Sequence, residues 1–292
     1  MKRSLASAAR SVGFALGAVV LALLPVAASA AGDGPVHAIE RQHWTFGGFR
    51  GHFDQAQLQR GFQVYKDVCA TCHGLSRIYF RNLSEPGGPE FPADRVKSLA
   101  ATKYKTVDGP NDQGKMFKRP ALMSDRIPGP FANDQEARAT LGSLPPDLSL
   151  MIKARSVEIH ASFWQVAYNM FRDIVLGYQE GGADFIFALL TGYADPPADV
   201  KLGQGLHFNH VFPGNQISMK PPLDKDSLVK YGDGTPMTVE QQSRDVVAFL
   251  AWASDPRLEE RKRMGWLVLA YLLVTAVLLG FAKRRMWVSI PH

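Results

Sequence analysis

The stretch Cys69-Ala70-Thr71-Cys72-His73 contains the only two cysteines among the 292 residues of this chain. A c-type haem is attached by thioether bonds from two cysteine sulfurs to its vinyl groups, and the adjacent histidine binds the iron. The spacing suits this chemistry because it places the cysteines about one helical turn apart. The stretch therefore predicts one covalently bound haem c, attached to Cys69 and Cys72, with His73 as an axial ligand of its iron.

Three other uses of a C-x-x-C pair account for this stretch less well. A zinc site needs further ligands, and no other cysteine exists to complete a four-cysteine set. A thioredoxin-like redox pair does not require a histidine at position 73. A disulfide is possible in an oxidising compartment, but it also leaves His73 without a role.

The N-terminus, residues 1–30, has the pattern of a secretory signal peptide. A positive region with Lys2, Arg3 and Arg10 precedes an apolar stretch and the small-residue cleavage site Ala28-Ser29-Ala30. An uncleaved anchor is the alternative, but the small residues favour cleavage. Export agrees with the haem prediction, because c-type haem is attached outside the bacterial cytoplasm.

A second apolar segment, residues 264–282, predicts a transmembrane helix. Its 19 uncharged residues span about 28 Å, close to the ~30 Å hydrocarbon core of a bilayer. Basic clusters flank both ends, so the orientation follows from the signal peptide. We expect a single-pass protein of the bacterial inner (cytoplasmic) membrane, with residues 31–263 in the periplasm and a cytoplasmic tail of residues 283–292.

The net charge of +6 follows from this topology. Six of the 33 basic residues lie in the signal peptide or the tail, which leaves 27 basic and 27 acidic residues in the exported part. A formally neutral domain has no basic footprint for nucleic acid, so we expect no nucleic-acid partner.

Two amphipathic helices frame the exported part. Asp54 is a candidate N-cap for a helix that leads into the cysteine motif, and Gly61 within it indicates close approach of another backbone. Thr238 and Gln241 form a capping-box pattern at the start of the last exported helix, which Pro256 ends. Strand-like alternation is weak. This arrangement is similar to the class I c-type cytochrome fold, mainly α with long loops.

The residues alone leave several candidates for the opposite axial ligand, because six methionines lie in the exported part. Electron-transfer cytochromes commonly use methionine there. Met219 follows a loop rich in Pro and Gly that could press its side chain against the iron, whereas Met170 lies in a helical pattern and is expected in the core. His207 and His210 are rival ligands.

Several segments, in this order, resemble those of the cytochrome c1 family, the haem subunits of ubiquinol–cytochrome c oxidoreductase (bc1) complexes, here of bacterial type. The similar segments are Leu58–Cys69, Asp108-Gly109-Pro110-Asn111, Met116-Phe117-Lys118-Arg119-Pro120, Leu144-Pro145-Pro146-Asp147-Leu148-Ser149, Leu189-Leu190-Thr191-Gly192-Tyr193 and Arg261-Lys262-Arg263-Met264-Gly265. Residues 156–182 look like an insertion relative to mitochondrial forms, and we expect its apolar residues to pack on the domain.

The resemblance implies residues and partners that the pattern alone does not. It places the methionine ligand at Met219 and a haem-propionate partner at Arg138. It implies electron transfer from a Rieske iron–sulfur protein to a soluble or membrane-tethered c-type cytochrome, beside a cytochrome b subunit and membrane lipid. On this basis the chain is an electron carrier within an enzyme complex and not an enzyme by itself.

A second class of function is a haem enzyme or gas sensor. That class needs an open sixth position on the iron, which a ligand at Met219 would close.

Overall fold

The computed structural model describes residues 39–155, 162–198, 200–226 and 228–288. The predicted signal peptide lies outside the described residues, as do the first six residues of the predicted insertion and the last four of the tail. In the described chain, helices dominate, as predicted. The helices are α1 (Gln55–Asp67), α2 (Ala93–Lys103), α3 (Asp134–Leu141), α4 (Met151–Ala154), α5 (Phe163–Leu176), α6 (Gly181–Thr191), α7 (Val239–Ser254) and α8 (Leu258–Trp287).

The described strands are short and form three antiparallel pairs, in agreement with the weak alternation. The strands are β1 (Leu75–Tyr79), β2 (Lys105–Asp108), β3 (Phe117–Pro120), β4 (Arg126–Ile127), β5 (His207–Phe208) and β6 (Gln216–Ile217). The pairs are β1 with β4, β2 with β3, and β5 with β6. Arg119 on β3 donates to carboxylate oxygens of Asp108 and Asp125. The shorter of its two bonds to Asp125 measures 2.6 Å. These bonds connect the β2–β3 hairpin to the turn that follows it.

Helices α1 and α7 cross at the centre of the core, and Gly61 is the point of closest approach. A Cβ at Gly61 would lie 2.0 Å from the carbonyl oxygen of Asp245, so only glycine allows the two backbones to come this close. Phe62 of α1 packs edge-on against Phe249 of α7, with ring centroids 5.5 Å apart. Arg60 reaches across the crossing to the fully buried Asp245, with Nε 3.0 Å from Oδ2.

Both predicted N-caps form, but of the predicted capping box only the Thr238 half is present. Oδ1 of Asp54 accepts from the amide of Gln57 at 2.9 Å. Oγ1 of Thr238 accepts from the amide of Gln241 at 3.2 Å. The Gln241 side chain instead donates to Asp245 at 2.9 Å. These bonds satisfy amides that a helix leaves without internal partners.

Helix α8 contains the predicted transmembrane segment and is the only helix in the described chain that is long and apolar enough to cross a bilayer. Only Asp255, Pro256 and Arg257 separate it from α7. Asp255 accepts from Lys153 at 2.9 Å and from Arg261 at 2.7 Å. Lys262 donates to the carbonyl oxygen of Phe46 at 2.7 Å. The joint between domain and span is therefore short and held on several sides.

Helix α5 contradicts the prediction that the insertion packs on the domain. None of its residues is buried. The exposed fractions are 75% for Phe163, 79% for Trp164 and 62% for Met170. The helical pattern was correct, but the prediction that Met170 is core was wrong, because periodicity identifies an apolar face without identifying what covers it.

Candidate cofactor site

The end of α1 presents the cysteine motif. The helix ends at Asp67, and a 3₁₀ turn over Cys69–Thr71 follows. The amide of Cys72 donates to the carbonyl oxygen of Cys69 at 3.1 Å, and the amide of His73 donates to the same oxygen at 2.8 Å. The tight turn brings both sulfurs and the imidazole to one end of the helix. All three side chains are half-buried.

The two cysteines are free thiols and form no disulfide. Burial raises the pKa of the Cys69 thiol to about 12, and the neighbouring Cys72 adds to this effect. A redox-active cysteine needs a lowered pKa to supply thiolate near neutral pH, so Cys69 lacks the property of a thioredoxin-like nucleophile. The described residues contain no group of three or more His, Cys, Asp or Glu that could hold a metal ion.

The ring of His73 has a fixed orientation. Its Nδ1 lies 2.7 Å from the carbonyl oxygen of Pro146. Because a carbonyl only accepts, Nδ1 carries the proton and Nε2 keeps its lone pair for a metal. Burial lowers the pKa of His73, although the hydrogen bond to Pro146 and the charge of Asp147 oppose this. A lowered pKa favours the neutral form that a metal ligand requires.

The segment around Pro146 is itself fixed against the chain that follows His73. Oδ2 of Asp147 accepts from the amide of Ser76 at 2.7 Å, and Oδ1 accepts from the amide of Ser149 at 2.9 Å. Partial burial opposes ionisation of Asp147, but hydrogen bonds from the Ser149 hydroxyl and from the amides of Ser76 and Ser149 outweigh it and lower its pKa. The amide of Leu148 also donates to the carbonyl oxygen of Gly74 at 3.0 Å. These bonds explain why Pro146 stays in reach of His73.

Met219 lies just after β6 and is half-buried against the core. Its carbonyl oxygen accepts from the hydroxyl of Tyr193 at 3.0 Å. Burial raises the pKa of Tyr193, so this hydroxyl remains a donor at physiological pH. The fully buried Asn209 fixes the preceding loop, since its Nδ2 donates to the carbonyl oxygen of Leu189 at 2.8 Å and its Oδ1 accepts from the amide of Val211 at 2.9 Å.

One segment, Ser143–Pro146, contacts both predicted ligand regions. Its last residue holds the ring of His73, as described above. Its first residue, Ser143, lies with Oγ 3.0 Å from Oγ of Ser218, the neighbour of Met219. The structure thus brings the loop of Met219 to the same segment that orients His73, although the two residues are 146 positions apart in sequence.

The rival ligands lie on the same loop as Met219. His207, on β5, is the cross-strand partner of Ile217, two residues before Met219. His210 is exposed, its amide donates to the carbonyl oxygen of Gly192 at 3.0 Å, and its ring stacks edge-on against Phe208. Both histidines therefore stay rival ligands on this loop, and Met219 is preferred because the family resemblance places the methionine ligand there.

Arg138 is exposed on α3. Its guanidinium forms no hydrogen bond or ion pair with another described residue. Its carbonyl oxygen accepts from the amide of Gly142 at 2.9 Å, and Gly142 ends α3 with a φ of 75° immediately before Ser143. Arg138 therefore lies one helical turn from the segment that contacts both ligand regions, and its role toward a propionate stays a prediction.

The residues of this site fit a c-type haem. The chain offers two free thiols in one turn, a neutral imidazole with Nε2 available, and a half-buried thioether on a neighbouring loop. Thiols can bind the periphery of a haem, and an imidazole and a thioether can bind its iron.

Sequence reasoning missed the supporting residues of the site. Pro146 and Tyr193 lie in segments with a family resemblance, but their roles as partners of His73 and Met219 were not predicted. Ser143 gave no signal, because a lone serine after a helix C-cap is common. Only a fold places it beside Ser218.

Comparisons with known proteins show which family this chain resembles. A model described as the Cytochrome C1 family matches residues 44–290. The chain is 44% identical over 268 residues to "Cytochrome c1" of Blastochloris viridis, covering 91% of this chain and 92% of that protein. It is 41% identical over 282 residues to "Cytochrome c1" of Rhodospirillum rubrum, covering 91% and 93%.

A third relative is longer than this chain. "Cytochrome b/c1" of Bradyrhizobium diazoefficiens is 46% identical over 246 residues. The match covers 84% of this chain but only 35% of that protein. This chain therefore corresponds to about a third of that relative.

Proposed function

The chain belongs to the cytochrome c1 family, and we propose from this that it is the electron-transfer haem subunit of a respiratory or photosynthetic bc1 complex. In this proposal Cys69 and Cys72 form thioethers to one haem c, while His73 and Met219 are the axial ligands. Arg138 pairs with a propionate, because a buried carboxylate is costly unless a cation accompanies it. When bound, the haem supplies a one-electron iron couple.

The observation that carries the proposal is the segment Ser143–Pro146. Its Pro146 carbonyl accepts from Nδ1 of His73 and so leaves Nε2 for the metal. Its Ser143 hydroxyl holds the Met219 loop through Ser218. A methionine that stays bound in both oxidation states keeps the geometry constant and raises the potential. That constancy suits electron transfer, in which little must rearrange.

The proposed partners follow from the family. The chain accepts single electrons from a Rieske iron–sulfur protein and passes them to a soluble or membrane-tethered c-type cytochrome. It forms and breaks no substrate bonds, so it is a carrier and not an enzyme by itself. Helix α8 anchors the chain in the bacterial inner membrane beside cytochrome b and lipid, with the haem domain in the periplasm. The name of the Bradyrhizobium relative, which joins b and c1, supports the cytochrome b partner.

The competing function, a haem enzyme or gas sensor, differs in ligand access. We expect the purified, haem-loaded, reduced chain to show a six-coordinate low-spin spectrum that carbon monoxide does not change. Rapid formation of a carbon monoxide complex would favour the competing function and contradict Met219 ligation.

The direction of electron flow needs the assembled complex. In membranes that contain all subunits, ubiquinol should reduce this chain and an added ferric c-type cytochrome should reoxidise it. In membranes that lack only the Rieske protein, ubiquinol should no longer reduce it, whereas dithionite still should. Unchanged reduction by ubiquinol without the Rieske protein would contradict the proposed electron source.

A further inference from the structure

Helix α5 carries an apolar face that no described part of the chain covers. We propose that this helix lies in the lipid–water interface of the membrane, beside the transmembrane helix α8. The apolar face comprises Phe163, Trp164, Met170, Phe171 and Ile174, each between 62% and 79% exposed. Single exposed apolar residues are normal on a protein surface, but a contiguous face of large ones marks a binding surface.

The helix is amphipathic in the sense that an interfacial helix requires. At about 100° per residue, the apolar face lies on one side and Gln165, Asn169 and Arg172 lie on the other. Asp173, on the polar side, is bound to Arg41 of the domain, with Oδ1 3.0 Å from Nη2. The polar side is therefore tied to the protein, which leaves the apolar face directed away from it.

The C-terminal end of α5 meets the domain next to the membrane span. A Cβ at Gly177, the residue that caps α5, would lie 2.9 Å from the ring of Phe49. The same Phe49 ring stacks edge-on against Trp266 of α8, with centroids 6.0 Å apart. Trp266 is the third residue of the apolar segment 264–282, at the depth where tryptophan favours the membrane interface.

A shared cleft gives a second link between the two helices. An open cleft of about 520 Å³ is lined by Asp173 of α5 and by Leu258 and Arg261 of the first turn of α8. The C-terminal end of α5 thus lies beside the start of α8, and a bilayer that surrounds α8 reaches α5 as well.

Length and composition favour lipid in the plane of the interface. The 14 residues of α5 are about 21 Å long, too short to cross a ~30 Å hydrocarbon core. Trp164, Phe163 and Phe171 supply the aromatic rings that interfacial helices use. The apolar face has no charged residue to pair with a protein partner, whereas the acyl chains next to α8 are already present.

The test uses photoreactive lipid and rests on the proposed membrane anchoring by α8. The haem-loaded full chain is placed in phosphatidylethanolamine–phosphatidylglycerol vesicles with a trace of phospholipid that carries a diazirine in its acyl chain. After illumination, peptide mass spectrometry locates the adducts. We expect adducts on α5 at Phe163, Trp164 or Phe171 and on α8, and few on the exposed Val107 and Phe117 of the β2–β3 hairpin.

The same labelling in native membranes with the assembled complex separates lipid from protein. Adducts on α5 in both preparations support the proposal. Absence of α5 adducts from both preparations would overturn the proposal. Loss of α5 adducts in the assembled complex alone would also overturn it, because a protein partner then covers the apolar face. Absence of adducts on α8 would instead contradict the proposed anchoring, which keeps the two failures distinguishable.

A matched pair of variants checks that the face itself is responsible. Because Phe171 and Ile174 are exposed, the double variant Phe171→Gln/Ile174→Gln should keep the haem spectrum and thermal stability of the parent. It should lose most α5 adducts, and the α5 amides should exchange with deuterium several-fold faster in vesicles. The control Asn169→Gln on the polar side should change neither. Unchanged adducts and exchange in the double variant would overturn the proposal.

Discussion

The two sides of the proposed haem site are built differently. On the His73 side, both cysteines and the histidine lie in one turn, and the supporting bonds include a carboxylate, Asp147, with two backbone donors. On the Met219 side, the ligand region is held by neutral hydroxyl groups of Tyr193 and Ser143 that come from distant parts of the chain. A contiguous motif therefore determines its own geometry, whereas an isolated ligand depends on the fold to bring it into place.

This difference predicts which of the two sides of the site is held more tightly. Hydrogen bonds to a charged acceptor contribute about 1.5–3 kcal/mol, whereas neutral ones contribute about 1 kcal/mol. We therefore expect the His73 side to be the more tightly held and the Met219 side to loosen first under stress.

The largest expected effect comes from breaking the contiguous motif. The variant Cys72→Ser can form at most one thioether, so we expect it to lose most of its covalently bound haem. Intact-mass measurement of the purified chain, with the pyridine haemochrome spectrum, reports the number of linkages. The control Thr71→Ser, within the same turn, should keep both. Two linkages in Cys72→Ser would contradict the assignment of this cysteine.

A smaller effect should follow from weakening the support of His73. In Asp147→Asn, one backbone amide faces an NH₂ group. This costs about 1.5 kcal/mol, the low end for a charged acceptor, because the carboxylate is only partly buried. Thermal unfolding of the haem-loaded chain measures this cost, with Asp112→Asn in an exposed loop as the control.

The stability difference between the parent and Asp147→Asn should depend on pH in a defined direction. The folded pKa of Asp147 is lowered, so its contribution is fully present above the unfolded value of about 3.9 and is lost as the pH falls through the lower folded value. The difference between parent and Asp147→Asn should therefore be constant near neutral pH and shrink in strong acid. A difference that grows with acidification would contradict the role of the carboxylate.

The smallest effect concerns the Met219 side. Tyr193→Phe removes the hydroxyl that donates to the carbonyl oxygen of Met219, at a cost of about 1 kcal/mol. We expect the sixth ligand to dissociate at a lower temperature or lower denaturant concentration than in the parent, while the thioethers stay intact. Tyr104→Phe is the control, because the Tyr104 hydroxyl has no hydrogen bond in the described chain. Equal loss of ligation in both variants would show that the hydroxyl does not hold the loop.

The fold was predictable where the signal is local. Asp54 and Thr238 were recognised as caps because a cap acts on amides within three residues. Gly61 was recognised as a contact point because only glycine permits such close approach. The 19-residue apolar segment was recognised from length and lack of charge alone.

The parts of the fold and of the site that could not be predicted depend on contacts between residues that are distant in sequence. Helices α5 and α7 show the same kind of amphipathic periodicity, yet α7 is buried in the core and α5 is exposed. In the site, the Cys69–His73 turn followed from spacing, whereas Met219 needed the family resemblance. The supporting bond from Ser143 to Ser218 crosses 75 positions, and no local pattern encodes such a pairing.

The most direct test of the account is the midpoint potential of Met219→Leu compared with Met123→Leu in the haem-loaded full chain. Leucine conserves volume but cannot bind iron, and Met123 is a half-buried core methionine, so both changes should cost little stability. We predict that Met219→Leu lowers the potential by on the order of 0.1 V, within the ~0.8 V that axial ligands span, and opens the reduced iron to carbon monoxide, while Met123→Leu does neither. A parental potential and no carbon monoxide binding in Met219→Leu would contradict the account and move the ligand to a histidine of the same loop, with His210 tested first.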